Sequence, residues 1–373
     1  MAYGRRCQGD RTAEGLPVVP LVLPLVRPSV LRLVLRLPGG GAPTHPPAPM
    51  TLPLPPIAPT TLEAWRAHWP NGAASTAVEA AGLRWHVQRA GAGHGRPVAL
   101  LVHGTAGATH AWHAVLPRLA ERFEVVAPDL PGHGFTAAPP AERLTLPGMA
   151  ADLAALLAAL RVRPRLVVGH SAGGAVLLRM ALDGALPDAR LLVGLNAAIV
   201  PPPAFYRTLA GPPLRALFAG ERLAGWAARH AARAGVVEGL LRSTGSRVPP
   251  AVLACYEALT TSPGHVRAAL TMMAQWDVPA LLGDVHRLRV PALFLAGADD
   301  RWIPARHAER VAAHVPGARF LALRGHGHLM HEEAGDELAD HLLHAAQEAG
   351  CLEGPAVAVH AGHAPHDAHD AAA

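Results

Sequence analysis

Leu166-Val167-Val168-Gly169-His170-Ser171-Ala172-Gly173-Gly174-Ala175-Val176 decides how the rest of this chain is read. An apolar run stops at a glycine, a serine follows, and a pair of glycines leads into Ala175-Val176-Leu177-Leu178-Arg179-Met180. The pattern is strand, hard turn, helix. A serine on such a turn needs a sharply reversed backbone, and side chains at Gly169 or Gly173 would collide with the neighbouring strand and helix. The turn exposes the serine oxygen at a helix N-terminus, where the dipole favours a developing anion. Five residues alone would also fit a glycine-rich turn with an incidental serine, so the flanking chain has to decide.

Outward from that stretch, strands alternate with helical segments. Ala81–Arg89 alternates like an outer strand, and Pro97–Val102 is a continuous apolar run of the kind buried on both faces of a parallel sheet. Glu124–Asp129, Arg190–Leu195, Val290–Ala296 and Phe320–Leu323 read as further strands. Helices are expected from about Met149 to Leu160 and from about Glu332 to Gly350. This rhythm predicts a mainly parallel, doubly wound α/β sheet. Residues 197–284 break it, reading as short amphipathic helices between Pro and Gly breaks, and are expected to form a helical cap inserted after one strand. The core is then divided into residues 61–196 and 285–350.

A serine nucleophile needs a base, an orienting carboxylate and two convergent N–H donors. Ser171 is the candidate nucleophile. Leu295-Ala296-Gly297-Ala298-Asp299-Asp300-Arg301-Trp302-Ile303-Pro304 puts two acids at a strand's carboxyl end. Asp300 is chosen because it stands four residues before Pro304, a spacing that resembles the G-x-x-D-x-x-x-P pattern of known hydrolases. The alternative acid slot, after the preceding strand, holds Asn196, which cannot carry the charge. Gly325-His326-Gly327-His328-Leu329-Met330-His331 offers three histidines, and His328, following a glycine at the opening of the last helix, is taken as the base. The anion-binding amides are assigned to Ala172 and Thr105, the latter in His103-Gly104-Thr105, with Gly104 permitting close backbone approach. His103, Gly104, Gly169, His170 and Gly173 form the supporting turns, and His133 and His170 are read as structural. An elbow of the form G-x-S-x-G, an HG loop, a strand-end Asp and a Gly-His in this order resemble the α/β-hydrolase superfamily.

Composition removes competing chemistries. All 33 basic residues are arginine, so no Schiff-base, pyridoxal or P-loop lysine exists. Net charge is +5, of which +4 falls in residues 1–49, where six arginines face Asp10 and Glu14. No basic stripe interleaved with aromatics appears, so no nucleic-acid partner is expected. Cys7, Cys255 and Cys351 lie far apart, offer neither a zinc pattern nor a disulfide framework, and fit a reducing cytoplasm. No cofactor or metal is called for. Residues 16–37 are apolar but broken by four prolines and three arginines, so no transmembrane span is expected. Residues 1–60 are expected to be a disordered or wrongly assigned extension, with translation starting at Met50; residues 351–373 are read as a disordered His/Ala-rich tail.

A closer resemblance rests on longer stretches. Trp69-Pro70-Asn71, Gly82-Leu83-Arg84-Trp85-His86-Val87-Gln88, Ala127–Thr136 and Leu146-Pro147-Gly148-Met149 are similar to the magnesium chelatase accessory (BchO) subfamily of bacteriochlorophyll synthesis. So are Val193–Ala198, Thr244-Gly245-Ser246, Pro263-Gly264-His265-Val266, Met272–Asp277 and Gly327–Glu333. Gly174, where relatives often carry alanine, is a departure expected to be harmless. The resemblance covers about residues 65–345 and implies a role near the insertion of Mg²⁺ into protoporphyrin IX. It does not imply that the chain is the chelatase, since metal insertion is not acyl transfer and no ATPase motif is present. The expected partners are therefore a small apolar ester or pigment-pathway substrate, with magnesium chelatase subunits or porphyrin as partners of a non-catalytic accessory role, and a general carboxylesterase as the third reading. The arginine-bearing N-terminal segment would allow contact with the membranes where pigments are made.

Overall fold

Alternate residues of the central strands go to opposite faces of one sheet, and both faces are covered. Leu100, Val102, Val126, Val167, Leu192 and Phe294 enter one hydrophobic core. Their neighbours Ala99, Leu101, Val125, Leu166, Val168, Val193, Leu293 and Leu295 enter the other. This is why these strands read as unbroken apolar runs: with period-two side chains and no solvent face, every position is a core position. The computed structural model describes residues 61–199, 220–231 and 233–352.

The strands are β1 (Ser75–Ala80), β2 (Leu83–Ala90), β3 (Val98–Val102), β4 (Glu124–Pro128), β5 (Pro164–His170), β6 (Leu191–Leu195), β7 (Ala292–Gly297) and β8 (Arg319–Leu323). Their order in the sheet is β1-β2-β4-β3-β5-β6-β7-β8. β2 is antiparallel to both β1 and β4, and every later pairing is parallel. The sheet is thus mostly parallel, as expected. β1 was not anticipated. It pairs with β2 through a two-residue turn at Ala81-Gly82, both at positive φ as a tight hairpin demands. Its sequence STAVEA carries too few apolar residues to announce a strand.

After a single helical turn at Leu62–Trp65, the described α-helices are α1 (Val115–Ala120), α2 (Leu146–Leu160), α3 (Ala172–Leu182), α4 (Glu221–Ala231), α5 (Val236–Ser243), α6 (Pro250–Thr260), α7 (Pro263–Ala274), α8 (Val278–Asp284), α9 (Arg306–Ala312), α10 (Met330–Glu333) and α11 (Gly335–Glu348). α2 starts three residues earlier than the apolar pattern suggested, because the Thr145 hydroxyl accepts the Gly148 amide and Pro147 sits in the first turn, where no N–H is missed. The single last helix expected is two. Ala334, at φ −137°, breaks the ladder, and Gly335 packs against Ala114, where an added Cβ would lie 2.6 Å from the alanine methyl.

Between β6 and β7 the described residues hold only helices, α4 to α8, the segment read as a cap. Residues 1–60, expected to be an extension, residues 200–219 and 232 of the expected cap, and 353–373 of the expected tail lie outside the described residues; the first two residues of that tail, Cys351 and Leu352, are described and buried in the core. Among the described residues no helix is long and apolar enough to cross a membrane.

The parallel strands β3 to β8 all end on the same side of the sheet. The carboxyl ends of β3, β5, β6, β7 and β8 lead into the segments bearing Thr105, Ser171, Asn196, Asp300 and His328. This is the crevice at which open α/β sheets bind ligands.

Candidate active site

Ser171 sits at φ 48°, ψ −116°, a backbone state that L-residues avoid. The surroundings hold it there. Its amide donates to the Leu195 carbonyl at 2.9 Å, and its carbonyl accepts from Gly174 and Ala198 at 3.1 and 2.9 Å. The elbow closes because the flanking residues lack side chains: a Cβ on Gly169 would lie 2.5 Å from the Gly173 carbonyl carbon, and one on Gly173 would lie 2.3 Å from the Val102 oxygen. Gly174 is tight against a side chain rather than backbone, since an added Cβ would lie 2.7 Å from that of Ala197. The departure expected to be harmless is therefore coupled to residue 197.

His328 Nδ1 donates to Asp300 Oδ2 at 2.7 Å, and both side chains are buried. The other carboxylate oxygen, Oδ1, accepts the Trp302 and Ile303 amides at 2.7 and 2.8 Å. The carboxylate is thus fixed by the turn that follows its own strand. With Nδ1 protonated toward Asp300, Nε2 carries the lone pair, the tautomer a general base needs. Asp299, the rival acid, points to solvent. Of the other two histidines of the loop, His326 lies 3.3 Å from Glu337, and His331 is fully buried.

The turn that carries Ser171 packs against the His328 loop through the adjacent residue. His170 Nε2 donates to the His328 carbonyl at 3.0 Å, and the two imidazoles lie 4.8 Å apart. Among the described residues the Ser171 hydroxyl itself makes no hydrogen bond to His328. Such bonds are commonly long without substrate and tighten when it binds.

The early loop lies against the serine, for a Cβ on Gly104 would be 2.9 Å from that of Ser171 and 2.8 Å from His170 Nδ1. His103 braces the loop as a neutral imidazole, donating from Nδ1 to the Gly104 carbonyl at 2.7 Å and accepting the Leu130 amide at Nε2 at 2.8 Å. Burial lowers its pKa and keeps it neutral. Among the described residues, neither the Thr105 nor the Ala172 amide has an acceptor within the protein. Ala172 opens α3, where the first N–H groups have no intrahelical partner.

Three features escaped sequence reasoning. Asn196, passed over as a missing acid, donates to Asp300 Oδ2 at 2.6 Å, so the alternative acid slot serves the acid that is used. Thr244-Gly245-Ser246, from the helical segment, buckles the two loops together. The Thr244 carbonyl accepts from Arg301 and His328 at 3.1 and 3.4 Å, and Ser246 Oγ accepts the Leu329 amide at 2.8 Å. Third, a second Ser–His–Asp row exists: Ser75 Oγ is 2.9 Å from His86 Nε2, and His86 Nδ1 is 2.7 Å from Asp129 Oδ2. All three side chains are buried, Ser75 lies in an ordinary strand, and Gln88 also donates to its oxygen at 3.3 Å. Burial alone would raise the Asp129 carboxyl, but His86 beside it, hydrogen-bonded at 2.7 Å, and the Phe135 amide hold it well below the usual range. This row staples the Thr109 and Phe135 loops and is structural. Among the described residues no cluster of His, Cys, Asp and Glu could hold a metal ion.

The alpha/beta hydrolase fold family matches residues 97–335. The magnesium-chelatase 30 kDa subunit of Rhodobacter capsulatus is 37% identical over 285 residues, covering 74% of this chain and 96% of that protein. The pimeloyl-[acyl-carrier protein] methyl ester esterase of Xanthomonas oryzae pv. oryzae is 30% identical over 67% of this chain and 94% of its own. An α/β-hydrolase-fold protein from Burkholderia ambifaria superposes with a TM-score of 0.60 at 25% identity, over 72% of this chain and 96% of that one.

Proposed function

The chain belongs to the α/β-hydrolase family, alongside the magnesium-chelatase 30 kDa subunit, and from that premise we propose that it is a serine hydrolase built on Ser171, His328 and Asp300. The observation that carries this reading is the 2.7 Å bond from His328 to Asp300 beside a serine held at φ 48°. A pure binding role has no physical need for all three groups at one strand-end crevice.

The chemistry follows from the groups present. His328 Nε2 takes the Ser171 proton as Oγ attacks the substrate carbonyl, and Asp300 balances the imidazolium. The oxyanion falls to the Thr105 and Ala172 amides; losing one such donor typically costs about a hundredfold or more in rate. The C–O bond to the leaving alkoxide breaks, His328 returns the proton to it, and the alcohol departs from an ester of Ser171. Water then loses a proton to His328, attacks the acyl carbon, and Ser171 leaves with that proton restored as the carboxylic acid is released. The substrate class is a small apolar ester or another acyl compound of the pigment pathway, with the helical segment between β6 and β7 acting as the cap that sets specificity.

A second reading is favoured by one observation, the 37% identity over 96% of a magnesium-chelatase subunit. In it the protein assists Mg²⁺ insertion into porphyrin by binding porphyrin or chelatase subunits, and the triad is inherited. Restoring pigment to a bacteriochlorophyll-deficient strain separates the two. If hydrolysis is the biological role, the wild-type chain restores pigment and Ser171→Ala does not. Full rescue by Ser171→Ala ends the hydrolase reading of that role.

A further inference from the structure

The loop bearing Thr105 is held from outside the α/β core. His265, in the first turn of α7, is a buried imidazole with both ring nitrogens engaged. Nε2 donates to the Ala106 carbonyl at 3.2 Å, and Nδ1 accepts the Gly134 amide at 3.1 Å. One side chain therefore bridges two turns that leave different strands, the Gly104–Gly107 turn after β3 and the Pro131–Gly134 turn after β4. Ala106 sits at φ 59°, a left-handed state that an alanine adopts at a cost, in a turn closed from within only by the Gly107 amide on the Gly104 carbonyl at 3.1 Å among the described residues. Two more contacts from the same helix reinforce it. The Thr105 hydroxyl lies 3.7 Å from Met272 Sδ, and a Cβ on Gly132 would be 2.5 Å from that of Ala268.

Bridging in this way requires a neutral ring with one N–H and one lone pair. Burial, with the nearby imidazole of His103, pushes His265 down to about 4, so the neutral form is present across the physiological range. Arginine or a carboxylate could serve only one of the two partners.

We propose that His265 is a positioning residue for the anion-binding amides: by tying Ala106 to Gly134 it keeps the Thr105 N–H aimed at Ser171, and so makes the helical segment part of the catalytic apparatus. This rests on the serine-hydrolase reading. An amide aimed at an oxyanion contributes in the transition state and little in the ground state, so its loss lowers kcat more than it raises KM.

The experiment compares wild type with His265→Leu, His265→Gln and His265→Asn on a p-nitrophenyl acyl ester and on a trifluoromethyl ketone. The ketone is attacked by the serine to give a hemiketal oxyanion. His265→Leu is expected to lose about a hundredfold in kcat, with KM within about threefold, and to lose ketone affinity in step with kcat. His265→Gln, whose amide keeps a donor and an acceptor, is expected to recover about tenfold of that loss. Asparagine, too short to reach both partners, recovers less. If His265→Leu does not fold, the Gln and Asn variants carry the comparison through the same correlation of kcat with ketone affinity. A wild type that turns over the ester in a Ser171-dependent way while the folded variants stay within threefold in kcat overturns this inference alone. A wild type without Ser171-dependent turnover overturns the reading beneath it as well.

Discussion

A methyl group added at position 174 meets Ala197 at 2.7 Å, on the turn that carries Asn196 into contact with Asp300. The relief is cheap only if one of the two residues gives way. Gly174→Ala is therefore expected to cost about 1–3 kcal/mol, the usual price of overpacking a tight contact, and Ala197→Gly in the same chain should restore most of it. Chemical denaturation of the two single variants and the double variant measures this; additive losses would show that the contact does not couple them. Nothing in the primary sequence marks position 174 as coupled to 197, because the coupling lies between the first turn of α3 and the segment after β6. Asn196 was likewise legible as a position and illegible as a donor. An amide in an acid's slot looks like a loss until the acid from the next strand is seen 2.6 Å away.

At the scale of elements, the buried parallel strands were readable since a strand covered on both faces has no polar positions to obscure its run. β3 to β7 fall within two residues of the sequence reading. β1 escaped because four of its six residues face solvent at least in part and its identity comes from pairing with β2. The elbow, the HG loop and the Gly-His were legible through local backbone chemistry. The buckle at Thr244–Ser246 was not, for its role exists only through hydrogen bonds to residues more than 50 positions away. Ser246→Ala removes the acceptor of the buried Leu329 amide and is expected to cost about 1–3 kcal/mol. Because Leu329 follows His328, kcat should fall with KM nearly unchanged. Thermal unfolding and steady-state kinetics on the same preparation check both; an unchanged kcat would mean the His328 loop keeps its place unaided.

For the whole molecule, the buried titratable groups set the pH window of stability. His103, His110, His133, His170, His265 and His331 are all held below their usual 6.5, burial being the first cause in each. The unfolded chain binds these protons at acid pH and the folded one does not, so stability falls as pH drops below about 6.5. Glu332 runs the other way. Burial pushes it up to about 8 from 4.5, against the hydrogen bond from the Tyr256 hydroxyl at 2.8 Å. The folded chain holds a proton that the unfolded chain has released, so stability falls as pH rises from about 4.5 toward 8. Between 4.5 and 6.5 six histidines outweigh one carboxyl, which places the maximum near neutrality. Above 6.5 the Glu332 effect is exposed, at most about 1.4 kcal/mol per pH unit. Glu332→Gln should therefore flatten the decline between pH 6.5 and 8 and leave the acid limb in place, as read from urea midpoints. A decline that survives in Glu332→Gln would assign it to another group.

The central claim, an activated alcohol at Ser171, is tested most directly by reaction with a fluorophosphonate probe, which needs the serine, its base and the anion-binding amides together. The account predicts labelling of the wild-type chain at Ser171 and none in Ser171→Ala, with His328→Ala and Asp300→Ala greatly slowed. A folded wild-type chain that stays unlabelled, or labels equally without Ser171, would contradict it.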